Sequence, residues 1–136
     1  MLILKEDSLD DIIRVGSSPY YDALVDFLQK SKVNLKRSTT ASGGKICYVE
    51  RNHDEFPRRV VFKSPKTQLF EPLRFIEMYN DGTTFVSSHQ FGGNAWSSKS
   101  VALEDIWVYD YRGKYKNYKG KSVAEDTMDE LIDYSI

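Results

Sequence analysis

The residues whose types and spacing suggest chemistry are concentrated in the last quarter of the chain. A basic loop, defined as residues 112–121, carries five cations and no acid, and two tyrosines interrupt it. Cationic side chains bind phosphates or carboxylates, and aromatic rings stack on bases or anchor protein interfaces. We therefore predict a partner-binding surface that contains Tyr111, Arg112, Lys114, Tyr115, Lys116, Tyr118, Lys119 and Lys121.

Two other structures fit the same residues of the basic loop. The loop can be ordinary solvated surface whose tyrosines fold back on a sheet. Tyr111, Tyr115 and Tyr118 also have the i, i+4, i+7 spacing of a helical turn, although Gly113 disfavours a helix. The sequence alone does not decide among a partner-binding surface, a solvated loop and a helical turn.

A second basic segment, residues 30–67, has ten bases and three acids, for a net charge of +7. Segregated charge of this kind attracts a polyanion or an acidic protein, unless neighbouring blocks neutralise it in the fold. The small-residue loop at 39–44 offers hydroxyls and backbone N–H groups to a phosphate, but a flexible hairpin loop is the favoured interpretation. The secondary basic patch consists of Lys36, Arg37, Lys45, Arg58, Arg59 and Lys63.

The acidic tail, residues 122–136, carries five acids and no base. Ser122 and Glu125 have the spacing of a capping box, so an acidic amphipathic helix is predicted to begin at Ser122. Met128 and Ile132 lie on its apolar face, together with Ala124 and Leu131. The acids of this helix continue to its C-terminal end, where the helix dipole favours cations. We therefore expect the helix to pack against the basic loop, the 30–67 segment or a protein partner.

Catalytic chemistry has little support in this sequence. The most site-like cluster is His89 with Asn94 and Trp96 beside a glycine pair, but a histidine at a strand end is more often a surface residue. Cys47 lies between apolar neighbours in a predicted strand and is expected to be packed rather than nucleophilic. We predict no catalytic residue, no metal site and no cofactor, since two histidines and one cysteine far apart do not make a zinc site.

Composition describes a globular chain of one domain, residues 1–136. The apolar fraction is 40% and the charged fraction 29%, which is enough apolar surface for a core. No apolar run has the length of a membrane span, and the start of the chain lacks the pattern of a signal peptide. The single cysteine cannot form an internal disulfide, so we expect a cytoplasmic protein without membrane attachment.

The elements that must position these residues follow from periodicity. Helices are predicted from Ser8 and from Ser18 to about Lys30, where the apolar residues follow i, i+3, i+4, i+7 spacing. Alternating strands are predicted at 33–37, 45–50, 59–63 and 105–111. A hairpin joins 73–79 to 83–91 across 80–82, with an undecided turn length. No internal repeat or linker is apparent. The predicted fold class is α+β, with two N-terminal helices, a mainly antiparallel sheet of about five to six strands and a C-terminal acidic helix.

These patterns favour a non-enzymatic, regulatory interaction protein. It would bind a protein partner through its basic and aromatic face and its acidic C-terminal helix, as small viral or mobile-element proteins do when they bind a host component. The alternative is a protein that binds RNA or single-stranded DNA with the Lys/Tyr loop 112–121. A small enzyme with a site near His89 is the third hypothesis.

Overall fold

A computed structural model describes residues 18–50, 58–89 and 95–136 of the chain. The described part contains two α-helices, ten strands and one 3-10 turn at Leu103–Asp105. The helices and strands are α1 (Ser18–Lys30), β1 (Leu35–Thr39), β2 (Lys45–Val49), β3 (Val60–Lys63), β4 (Phe70–Pro72), β5 (Phe75–Met78), β6 (Thr84–Ser87), β7 (Ala95–Ser97), β8 (Ile106–Tyr109), β9 (Lys114–Lys116), β10 (Ser122–Ala124) and α2 (Glu125–Asp129).

Helix α1 confirms the prediction from apolar spacing. The residues of its apolar stripe are fully or almost fully buried, as are Tyr20 and Val33 on either side of them. The helix ends in a Schellman motif, in which the N–H of Val33 donates to the carbonyl of Leu28 (3.0 Å). Lys32 occupies the left-handed position of this motif at φ +61°, where glycine is more usual. The helix predicted from Ser8 lies outside the described residues.

The strands form two antiparallel sheets, so the prediction of one sheet is wrong. Sheet A has the order β1-β2-β5-β6-β7, and sheet B has the order β10-β9-β8-β3-β4. The antiparallel pairing and the mixed α+β class are as predicted. Periodicity locates individual strands, but it carries no information on which strand pairs with which, and β4, β7, β9 and β10 are too short to produce a clear alternation.

The hairpin between β5 and β6 has a connection of three residues. The N–H of Tyr79 donates to the carbonyl of Thr83 (2.9 Å), which makes these two residues a pair across the turn. Gly82 has a φ of +88° and closes the connection, as in a type I turn followed by a bulge. The register left open by the sequence is therefore Met78 opposite Thr84.

Two apolar clusters lie on opposite faces of sheet B. The main core contains α1, the inner face of sheet A and one face of sheet B, including Ile106 and Val108. The second cluster lies on the other face, where Trp107 and Tyr109 pack with buried residues. The predicted alternation is thus confirmed from Ile106 to Tyr109, but the strand predicted to Tyr111 ends at Tyr109, and Tyr111 lies in the following turn. The buried members of the second cluster are Val61, Phe70, Tyr115, Met128 and Ile132.

The acidic tail is not the helix that the capping-box spacing predicts. Ser122 lies in β10 opposite Lys116, and α2 begins only at Glu125, without a side-chain cap. Of the four residues predicted to form one apolar face, Met128 and Ile132 are buried on sheet B, whereas Ala124 and Leu131 are exposed. Ile132 forms an isolated parallel bridge with Phe70. Strand pairing with β9 satisfies the backbone at Ser122, so the local capping preference does not determine the structure there.

A short repeat links the turns on either side of β9, contrary to the sequence analysis. Each turn begins with an Asx residue whose Oδ1 accepts two backbone N–H groups, and each contains a glycine with positive φ. The first turn is Asp110-Tyr111-Arg112-Gly113-Lys114 and the second turn is Asn117-Tyr118-Lys119-Gly120-Lys121. The shared pattern of Asx, Tyr, base, Gly, Lys at a spacing of seven is the signal that would have located both turns.

Candidate binding groove

A groove of about 410 Å³ lies between the C-terminal end of α1 and the hairpin of β8 and β9. Its walls carry five cations from the two basic segments, one acid and two tyrosines. The lining side chains include Lys30, Lys32, Arg59, Asp110, Tyr111, Arg112 and Lys116. The two basic segments therefore converge here, which sequence alone could not establish.

Arg59 joins the two walls of the groove. Its guanidinium donates to the carbonyls of Ser31 (2.8 Å) and Lys32 (3.0 Å), at the negative end of the α1 dipole. The same guanidinium lies 4.9 Å from the ring centroid of Tyr111, within the range of a cation–π contact. Arg59 thus ties the helix end to the first turn and holds the Tyr111 ring over the groove.

Tyr111 has an unusual backbone conformation for a residue of its size. Its φ of +59° lies in the left-handed region, which costs a non-glycine residue about 1–2 kcal/mol. Asp110 supports the conformation, because its Oδ1 accepts the N–H groups of Arg112 (2.7 Å) and Lys114 (3.1 Å). Tyr111 as a whole residue remains 51% exposed, and its ring meets the ring of Tyr109 edge-on, with centroids 5.2 Å apart.

Asp110 is charged in this setting at neutral pH. Desolvation raises the pKa of its carboxyl, but the two backbone N–H groups and the nearby Lys116 and Arg112 together lower that pKa below its ordinary value. The Nζ of Lys116 lies 3.8 Å from Asp110 Oδ2. The acid therefore stabilises the first turn and offsets one of the cations in the groove.

The groove keeps an excess of positive charge after its ion pairs are counted. Lys30 pairs with Asp26 on the same helix at 2.9 Å, and Lys116 pairs with Asp110. Lys32 and Arg112 form no ion pair with another residue of the described ranges. These two side chains and the face of Tyr111 are what the groove offers to an anionic partner.

The remaining residues of the basic loop do not form one surface with the groove. The Tyr115 ring is fully buried in the second cluster, and its hydroxyl donates to the carbonyl of Arg58 (3.0 Å). Tyr118 is half-buried against the main core, and Lys119 pairs with Glu104 at 3.1 Å. Lys114 and Lys121 are exposed. The segment is thus mainly a strand with two tight turns, because β9 pairs with β8 and β10.

Among the described residues, the acidic tail contacts the second basic segment through Arg58 rather than through a row of ion pairs. The guanidinium of Arg58 lies 4.5 Å from the ring centroid of Tyr134 and donates to the carbonyl of Ile136 (3.2 Å). Glu125 accepts a hydrogen bond from Tyr109 (3.1 Å), and Asp129 accepts one from Tyr134 (3.0 Å). Tyrosine hydroxyls therefore bind a carboxylate at each end of α2, and only Asp129 lies at the end that the helix dipole disfavours for an acid.

The other members of the secondary basic patch lie apart from the groove. Arg37 and Lys45 line a different pocket, beside sheet A. Lys36 is exposed on β1, and Lys63 is half-buried at the end of β3. Only Arg59 of this patch lines the groove, so the predicted patch is divided among several parts of the molecule.

His89 and Cys47 are the described residues that bear on the catalytic hypothesis. His89 is exposed and lines a pocket of about 250 Å³ with Glu77 and Ser87, but its ring forms no hydrogen bond or ion pair with another described residue. Burial raises the pKa of Cys47 to about 11, and the thiol is packed in the main core as expected. Asn94 lies outside the described residues. Within the part of the chain that the structure describes, no group of three His, Cys, Asp or Glu residues could hold a metal ion.

Comparisons with protein-family models, curated proteins and solved structures give no match to this chain. Its function is therefore inferred from its own geometry. No helix in the described ranges is long and apolar enough to span a membrane.

Proposed function

We propose that this protein is a non-enzymatic interaction protein that binds an acidic segment of a protein partner in the groove. The observation that carries the proposal is the convergence of cations from two distant parts of the chain around an exposed tyrosine. Lys32 and Arg112 supply positive charge, and Tyr111 supplies a flat apolar surface. Arginine and tyrosine are enriched among the residues that dominate protein interfaces.

The support for a protein partner includes the rigidity of the Tyr111 ring. Its backbone is fixed by the Asp110 turn, and the ring contacts both Arg59 and Tyr109. A side chain that is already held in place loses little conformational entropy on binding. A tyrosine kept in a costly backbone conformation at the rim of a cationic groove is typical of a recognition site.

The nucleic-acid alternative has weaker support. Single-stranded nucleic acid is usually bound by several exposed rings that stack successive bases. Of the three tyrosines expected to act in this way, Tyr115 is fully buried and Tyr118 is half-buried. One exposed ring beside cations fits an acidic peptide better, since carboxylates need no stacking platform.

The test is fluorescence anisotropy with two labelled probes, a glutamate-rich peptide and an oligothymidylate of equal charge. We expect the peptide to bind, and Arg112→Gln and Tyr111→Asn each to weaken it at least about tenfold. Asparagine tolerates the left-handed conformation, so Tyr111→Asn removes the ring and keeps the turn. Lys66→Gln is the charge-matched control, because Lys66 is exposed and outside the groove.

Salt dependence separates the two partner classes. Peptide binding should weaken modestly with salt, whereas nucleic-acid binding weakens in proportion to the number of phosphates contacted. Tighter binding of the oligothymidylate with the steeper slope would establish the alternative. Equal peptide affinities of Arg112→Gln and Lys66→Gln would show that the groove is not the binding site.

A further inference from the structure

A second pocket, of about 230 Å³, lies beside the N-terminal half of α1 and is separate from the groove. The hairpin of β1 and β2 forms one wall and α1 forms the other. The lining residues are Tyr21, Arg37, Ser38, Thr39 and Lys45. None of them is acidic, although Asp22 is close enough to Tyr21 to influence its ionisation.

The register of the hairpin brings the polar residues of this pocket together. The hydrogen bonds of Thr40 to Gly44 and of Glu50 to Asn34 (each 2.9 Å) mark the hydrogen-bonded pairs of the ladder. By alternation, Thr39–Lys45 and Arg37–Cys47 are non-hydrogen-bonded pairs, in which opposite side chains are closest. These side chains share a face, and Cys47 is buried beneath α1, so Arg37, Thr39 and Lys45 point towards the helix.

Two cations therefore lie on one face, and no counter-ion for them is found among the described residues. Neither Arg37 nor Lys45 forms an ion pair with another residue in the described part of the chain. The Nζ of Lys45 lies 5.8 Å from the ring centroid of Tyr21, and the Arg37 guanidinium is near enough to lower the pKa values of Tyr21 and Cys47 against the effect of burial. Like charges on neighbouring positions of one sheet face repel unless an anion lies between them.

The Tyr21 hydroxyl supports a ligand in this pocket independently of the two cations. Tyr21 has no exposed surface, and the Arg37 guanidinium lies near its hydroxyl oxygen, but the hydroxyl proton has no acceptor among the described residues. A buried hydroxyl proton without an acceptor destabilises the fold, and a bound ligand oxygen would supply the missing acceptor. Burial raises the pKa of Tyr21, so at neutral pH the phenol keeps its proton and is available as a donor.

The donors for a ligand are side chains rather than the backbone of the hairpin loop. The N–H of Gly43 donates to the carbonyl of Thr40, and that of Gly44 donates to the Thr40 hydroxyl (each 2.9 Å). The loop that the sequence suggested as a phosphate cradle is thus closed on itself. The hydroxyls of Tyr21 and Thr39 and the cations of Arg37 and Lys45 remain on the pocket wall.

We propose that this pocket binds a tetrahedral oxyanion, a phosphate or sulfate group, between Arg37 and Lys45. The cations neutralise the anion, and the hydroxyls of Tyr21 and Thr39 donate to its remaining oxygens. Four oxygens directed to different walls match donors from two strands and a helix, whereas a carboxylate presents only two oxygens in one plane.

The experiment is a titration of the full chain with inorganic phosphate, followed by amide NMR shifts and calorimetry. Parallel titrations use sulfate, O-phosphoserine and acetate. We expect saturable shifts at β1, β2 and the start of α1, with acetate binding at least about tenfold more weakly than phosphate. Binding of O-phosphoserine as tight as that of phosphate would identify a phosphomonoester as an accepted source of the anion.

Variants assign the binding to individual side chains. Arg37→Gln and Lys45→Gln should each weaken phosphate at least about tenfold, because each removes a charge-assisted hydrogen bond. Tyr21→Phe keeps the buried ring and should weaken phosphate severalfold without loss of folding. Lys36→Gln, on the opposite face of β1, is the matched control and should bind as the wild type does.

Three outcomes would overturn the proposal. They are the absence of saturable shifts with phosphate and sulfate, equal affinities of Arg37→Gln and Lys36→Gln, and acetate binding as tight as phosphate. A negative result with phosphate would not bear on the proposed function of the groove, since the two sites share no lining residue.

Discussion

The first and second turns, residues 110–114 and 117–121, have nearly the same sequence but different roles. In both, an Asx oxygen accepts the N–H groups two and four residues on. The tyrosine of the first turn has positive φ and is 51% exposed over the groove, whereas Tyr118 is half-buried against the main core. Local sequence therefore determines the turn, and the neighbouring elements determine whether its ring is available to a partner.

The Asx residues of the two turns also differ in their exposure and in their contacts. Asn117 is only 4% exposed, and its Nδ2 also donates to the carbonyl of Glu104 (3.1 Å). Asp110 is more exposed and has Lys116 as a charged neighbour. The second turn is thus anchored to the body of the protein by an uncharged group, and the first turn is held by a carboxylate at the edge of a cationic groove.

The largest effect on stability is expected from substitution of Tyr115, which lies in β9 between the two turns and supports both. Tyr115→Ala should lower the free energy of unfolding by about 3–5 kcal/mol, because it removes a fully buried ring from the second cluster. Urea denaturation measures the change. The adjacent exposed Lys114→Ala is the control, with an expected change within about 0.5 kcal/mol. Equal effects of the two substitutions would refute the assignment of β9 as a strand with one buried face.

Substitution of the Asx residues should have intermediate effects on the free energy of unfolding, larger for Asn117 than for Asp110. Asn117→Ala should cost about 2 kcal/mol of unfolding free energy, since it removes three hydrogen bonds at a buried position. Asp110→Ala should cost only about 1 kcal/mol, because water can satisfy the N–H groups of the more exposed turn. The measurement is again urea denaturation, and a larger loss for Asp110→Ala would reverse the comparison.

The smallest effect is a pH dependence confined to the first turn. The pKa of Asp110 is lowered in the folded state, because the hydrogen bonds and cations outweigh desolvation. Its stabilising contribution is therefore complete above the unfolded pKa of about 3.9 and is lost as pH falls through the lower folded value. The difference in unfolding free energy between wild type and Asp110→Asn should shrink below about pH 4. Asparagine can keep the turn but does not titrate, so a constant difference would contradict this assignment.

The fold was predictable where a single element buries one face. The spacing of Tyr21, Leu24 and Leu28 located α1, and the alternation from Ile106 to Tyr109 located both faces of β8. Elsewhere the strands are too short to give a periodic signal. Lys114–Lys116 lies in the segment that the sequence predicts to be a loop, because three residues are too few to establish a period.

The groove was only partly predictable. Tyr111, Arg112 and Lys116 were named from composition, but Lys30, Lys32 and Asp110 were not. Composition also selected Tyr115, whose ring is buried. A residue type alone does not distinguish a tyrosine that anchors a partner from one that fills a core, since both are amphipathic rings of the same size.

The sequence by itself determined the local features of this protein, which are helix α1, the alternation of β8 and the segregation of charge. Each of these depends on residues within a few positions of one another, so its period or composition can be read along the chain. Only the tertiary structure decided that the strands form two sheets, that Arg59 reaches Tyr111, and that Ser122 pairs with Lys116 instead of capping a helix. These contacts join segments far apart in the chain, and the burial of apolar faces, which selects them, is a property of the whole molecule.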